Sequence, residues 1–108
     1  MTRKKRADRN YIIYTMVCIP TGEEYIGLTV TKPGGDQRTL RNRLQQHYYK
    51  ATTYGLEWTL ADRLREFGKE LFDIQPIGKV RGKAAAYKLE AELINELTPE
   101  LNTKLRSK

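Results

Sequence analysis

The chain has 108 residues, of which 39% are apolar and 31% charged, with a formal net charge of +7. That suffices for one domain with one core and is too apolar for general disorder. Its one cysteine, Cys18, and one histidine, His47, exclude an internal disulfide and a cysteine/histidine zinc cluster, so a reducing, cytoplasmic setting is the expectation.

In chain order, Arg3, Lys4, Lys5, Arg6 and Arg9 less Asp8 place +4 on residues 1–9, a basic arm with no signal-peptide pattern after it. Tyr11 to Val17 is rich in β-branched and aromatic residues and predicts a strand. The apolar run that contains it, Tyr11 to Pro20, is too short to cross a bilayer, and no membrane partner is expected. Pro20-Thr21-Gly22-Glu23 supplies a turn, and Glu24 to Leu28 predicts a second strand in an antiparallel hairpin. Thr29 to Arg38 predicts a long loop. Thr39 is the expected N-cap of a helix to about Lys50, with Leu40, Leu44, Tyr48 and Ala51 as its buried stripe. After a connection over residues 52–58, Thr59 opens a second helix with Leu60, Leu64 and Phe67 inward, stopped by Gly68. A third strand is expected from Leu71 to Ile77, ending near Pro76, followed by a basic turn from Lys79 to Lys83. A last helix spans about Ala84 to Leu97, with Pro99 beyond it. Lys104, Arg106 and Lys108 place +3 on a basic tail, residues 104–108. The expectation is an α+β domain over residues 10–103, a small three-stranded antiparallel sheet flanked by helices in the order β-β-α-α-β-α. Between arm and tail, 12 basic residues balance 12 acidic ones. The charged ends are phosphate-seeking arms on one reading and solvated tails on the other.

Glu90 is the most informative single residue. With Ala86 at 0° on a helical wheel, Leu93, Leu97 and Ile94 fall at about 340°, 20° and 80°, and Glu90 at about 40°, inside the apolar arc. A carboxylate aimed at a core needs a cation, either an internal arginine or a divalent metal. Arg43 and His47, four apart, share one face of the first helix at the edge of its apolar stripe. Arginine there can grip phosphate oxygens bidentately. Tyr14 and Tyr25 are by themselves ordinary strand aromatics. Gly27 within a strand implies a close approach by a phosphate, a metal or the helix carrying Arg43.

Taken together these residues resemble the GIY-YIG nuclease family, named for motifs on its first two strands. Tyr25-Ile26-Gly27 is the second motif intact, and Ile12-Ile13-Tyr14 is the first with Ile12 in place of glycine. Arg43 and His47 match the family's helix arginine and histidine, Glu90 its metal-binding glutamate, and Asn102 its closing asparagine. Tyr54 is the candidate for a further tyrosine or histidine between the first two helices. The resemblance covers about residues 10–103.

It implies a DNA endonuclease hydrolysing phosphodiester bonds with one Mg²⁺ or Mn²⁺ held by Glu90. Tyr14, Tyr25, Arg43, His47, Glu90 and Asn102 would form the catalytic set. Tyr14 would be the general base, or would pass the proton to a neighbour, because a tyrosine of pKa about 10 is almost wholly protonated at neutral pH. His47 stands as the alternative base. Arg3, Lys4, Lys5, Arg6, Gly27, Arg38 and Arg41 would contact double-stranded DNA, in the nucleoid or, for a phage-encoded chain, in the host cytoplasm. No recognition domain stands in the chain, which implies low specificity, a homodimer, or a separate recognition domain or chain. The rival readings are a non-catalytic nucleic-acid-binding module using the basic arms, and a structure-specific repair nickase.

Overall fold

A computed structural model of the chain describes residues 9–32, 34–53 and 59–102. Strand β1, Asn10–Cys18, is central in a three-stranded antiparallel sheet, with β2, Glu24–Val30, on one side and β3, Phe72–Arg81, on the other. Helices α1, Asp36–Thr53, and α2, Thr59–Phe67, lie between β2 and β3, and α3, Lys83–Leu97, follows β3. The order is the expected one, and the domain is α+β with helices flanking the sheet.

The alternation of β1 decides the layers. Ile12, Tyr14, Met16 and Cys18 are buried in one cluster with Leu40 and Ala51 of α1 and Leu60, Ala61 and Leu64 of α2. On the opposite face Ile13, fully buried, and Leu89 of α3 both close on the space beside Gly78. Ile12, which stands where the resemblance implies a glycine, is fully buried in the main cluster. Arg63 of α2 bonds Glu23 at 2.7 Å, and Arg65 donates to the Ala51 carbonyl at 3.0 Å, so α2 is tied to the hairpin and to α1.

Several boundaries differ from expectation. Strand β2 continues through Val30 and α1 starts at Asp36, so the expected long loop shrinks to residues 31–35. Thr39 is therefore not an N-cap but a buried residue inside α1. Its hydroxyl donates to the Gly35 carbonyl at 2.9 Å and accepts from the Lys32 N–H at 3.1 Å, which pins the incoming chain to the helix. Strand β3 does not stop at Pro76. It is an edge strand, and a bulge at Ile77 shifts the register between Ile13↔Gly78 and Tyr14↔Pro76, which lets a residue without an N–H sit in the ladder. The expected basic turn is consequently strand as far as Arg81. Gly68, with φ 85°, ends α2 as expected, its N–H bonded to the Leu64 carbonyl.

Helix α3 is less enclosed than its wheel implies. Ala86 is its one fully buried residue, and Leu97 is 52% exposed. No described helix is long and apolar enough to cross a membrane.

Candidate active site

Helical spacing along α1 brings Arg43 and His47 over the middle of β1. The Tyr14 hydroxyl oxygen accepts from Arg43 Nε at 3.1 Å and lies 2.8 Å from His47 Nε2. One oxygen thus joins a strand residue to two residues of one helical turn, 29 and 33 positions away. With His47 protonated on Nδ1 the tyrosine donates its own proton to Nε2; with His47 protonated on Nε2 the same oxygen accepts a second time. Arg43 also donates from Nη1 to Gln46 Oε1 at 3.1 Å, which steadies the guanidinium from its own helix.

Tyr25 stands beside this pair. Its ring centroid is 5.4 Å from that of His47, edge-on, and 6.3 Å from that of Tyr14. Gly27 explains how the rings fit: a Cβ there would stand 2.5 Å from the end of Tyr14 and 2.8 Å from Tyr25. The close approach expected at this glycine is therefore made by the tyrosines themselves. Gly27 is buried beneath them and offers little surface.

Burial pushes the Tyr14 hydroxyl above the usual tyrosine range, against the pull of Arg43 and with some help from the Glu90 charge. Tyr25 is raised too, first by burial and then by Tyr14 and the Glu90 charge, against the pull of Arg43. His47 is pulled down to about 3, by burial and then by the Arg43 and Lys50 charges, so its imidazole is neutral at any physiological pH. The trio is an assembly of neutral groups with one guanidinium across it.

Glu90 is half-buried on α3, close enough for its charge to act on both tyrosines. It has no hydrogen bond or ion pair among the described residues, so the internal arginine pair expected as one alternative is not formed there. Burial alone raises its carboxyl above the usual range. No three His, Cys, Asp or Glu side chains converge among the described residues. A single unpaired carboxylate fits a hard ion such as Mg²⁺ that keeps most of its waters, and does not fit zinc.

Asn102, expected in the catalytic set, bonds the backbone of β2. It accepts the Ile26 N–H on Oδ1 and donates Nδ2 to the Ile26 carbonyl, both at 2.8 Å. Strand β2 is an edge strand, and this side chain replaces the missing neighbour beside the residue between Tyr25 and Gly27. Its bonds position the strand.

A cleft of about 220 Å³ opens on the site, lined by Tyr25, Arg43, His47 and Lys50, with Leu60, Ala61 and Leu64 of α2 as its apolar wall. Tyr14 is fully buried below it. Lys50 and Gln46 are site residues that the sequence reading missed; both lie on the Arg43–His47 face at spacings of three or four, a signal already present in the sequence. Arg38 and Arg41 are exposed on α1 and do not line the cleft. Tyr54 and the basic residues Arg3, Lys4, Lys5 and Arg6 lie outside the described residues. Comparison with protein-family models, curated proteins and solved structures finds no match, so function is read from these residues and their geometry.

Proposed function

We propose that the chain is a metal-dependent DNA endonuclease of the GIY-YIG type, cutting phosphodiester bonds by attack of water. The observation that carries this reading is the Tyr14 hydroxyl held between Arg43 and His47 under an open cleft. Packing alone gives no reason to gather a phenol, an imidazole and a guanidinium at one oxygen, near a carboxylate with no partner among the described residues. The resemblance of the same residues to the family's motifs supports it independently.

In this reading Arg43, already facing the cleft, binds the phosphoryl oxygens and stabilises the charge they gain. Lys50 extends the cationic side of the cleft. Glu90 holds one Mg²⁺ or Mn²⁺, which when bound supplies positive charge for the phosphate and the leaving 3′ oxygen. Tyr14 acts as base only if Arg43 lifts from its hydroxyl as the phosphate engages the guanidinium. The water's proton then goes to the Tyr14 oxygen while the tyrosine's own proton passes to His47 Nε2. This relay avoids a free tyrosinate but puts the charge on an imidazole that burial and the Arg43 and Lys50 charges hold neutral. It therefore needs the bound phosphate to offset those charges and the proton to pass on from His47 to the cleft it lines.

The test is incubation with supercoiled plasmid and with branched DNA, with Mg²⁺, with Mn²⁺ and with chelator. Cleavage that needs the divalent ion and disappears in Arg43→Ala is expected. Salt-sensitive binding with no products under any condition would replace this reading with that of a binding module. A strong preference for branched DNA would make the enzyme a repair-type nickase.

A further inference from the structure

A second groove, of about 310 Å³, adjoins the cleft and shares Arg43 with it. We propose that this groove, walled by Arg9, Arg43, Lys83 and Tyr87, seats a DNA backbone phosphate neighbouring the one that is cut. The inference rests on the nuclease reading for its ligand and on its own geometry for its place.

Three cations line the groove, and none of the described residues lining it is acidic. The fold brings two of them together from opposite ends of the chain. The Gly82 N–H donates to the Arg9 carbonyl at 2.9 Å, next to the Asn10↔Arg81 pair that ends the β1–β3 ladder. Lys83 follows directly as the first residue of α3. Neither Arg9 nor Lys83 has a carboxylate partner among the described residues, although the domain elsewhere pairs Arg63 and Lys79 with acidic groups. The first turn of α3 carries no acidic side chain, and Gly82 offers no side-chain cap, so the positive end of the helix adds to the same field. The Lys83 ammonium is parked 6.0 Å over the ring of Tyr87, which is 53% exposed. A phosphate in the groove would draw it off that ring at little cost, since an exposed cation–π contact is weak.

A solvated patch would have no reason to be concave or to run into the site at Arg43. A phosphodiester held at Arg43 necessarily brings further phosphates alongside, and of the two hollows that adjoin Arg43 outside the cleft this groove carries more cations, three against the two of the hollow at Lys32.

The experiment measures binding of the full chain to a short labelled DNA duplex by fluorescence polarisation, in chelator so that nothing is cut, across a range of salt. Arg9→Ala and Lys83→Ala should each weaken binding and lower the slope of log K against log salt by about 0.9. Lys88→Ala, on the same helix but outside the groove, sets the background loss for removing any surface cation. Effects no larger than that of Lys88→Ala would overturn the groove. Because cleavage plays no part in the readout, the two readings fail separately. A full groove effect in a chain that cuts nothing would remove the nuclease and keep the seat. Cleavage without a groove effect would do the reverse.

Discussion

Gly27 and Tyr14 face each other across β1 and β2, and the end of the tyrosine ring occupies the space a Cβ on residue 27 would need. The absence of a side chain at one position is thus a condition for the hydroxyl network at the other. Gly27→Ala must move the ring or spread the strands. We expect stability to fall by about 1–3 kcal/mol, as for overpacked cores, and cleavage to fall more than stability explains. Urea unfolding and plasmid-nicking rates measure the two effects. Wild-type values for both would show that the ring turns aside freely.

Tyr14→Phe keeps the ring and removes the shared oxygen. Arg43 Nε and His47 Nε2 lose their common partner, at a cost of about 1 kcal/mol in stability. Loss of the base should lower the cleavage rate by about 10²–10⁴-fold. If cleavage survives in this variant and vanishes in His47→Ala, the base is His47.

Glu90→Gln separates metal from fold. The carboxyl is raised above its ordinary value, so its charge opposes folding at neutral pH, and the neutral isostere should be as stable as the parent or slightly more so. Cleavage should be lost with DNA binding retained. Thermal unfolding with and without Mn²⁺ adds a check: the ion should raise the midpoint of the parent and leave the variant unmoved.

Asn102→Ala removes both bonds to Ile26 and bares an edge strand. A stability loss of about 1–3 kcal/mol is expected, with cleavage per folded molecule within a few-fold of the parent. Loss of cleavage at full stability would return Asn102 to the reacting groups.

The buried neutral histidine gives stability a defined pH dependence. In the unfolded chain His47 takes up a proton near pH 6.5; folded, it resists until about 3. The unfolded state therefore binds more protons in that window, and stability falls as pH drops through it. Denaturant titrations between pH 5 and 6.5, above most carboxylate titrations, should show this slope in the parent and its absence in His47→Asn. Equal slopes would mean that the imidazole is not held neutral.

Much of the molecule was legible residue by residue because its signals are local. The β-branched and aromatic run from Tyr11 to Val17, the turn chemistry before Glu24 and the glycine stop at Gly68 depend on neighbours a few positions apart. So does the placing of Arg43 and His47 on one helical face, since helix pitch is set by the backbone. What failed locally failed for reasons lying elsewhere in the chain. Pro76 ends a strand by its own chemistry, and only an edge position and a bulge opposite β1 let the strand continue.

The site divides the same way. Sequence alone determined which chemical groups the molecule owns and on which faces of which elements they sit. Tertiary packing decided which atoms meet: Tyr14 with Arg43 and His47, Gly27 with the Tyr14 ring, Asn102 with Ile26. Those contacts span 13 to 76 positions along the chain, and no short-range periodicity reaches so far. They exist because burying the faces of one small sheet leaves few ways to close it, and each way sets a different group against the next.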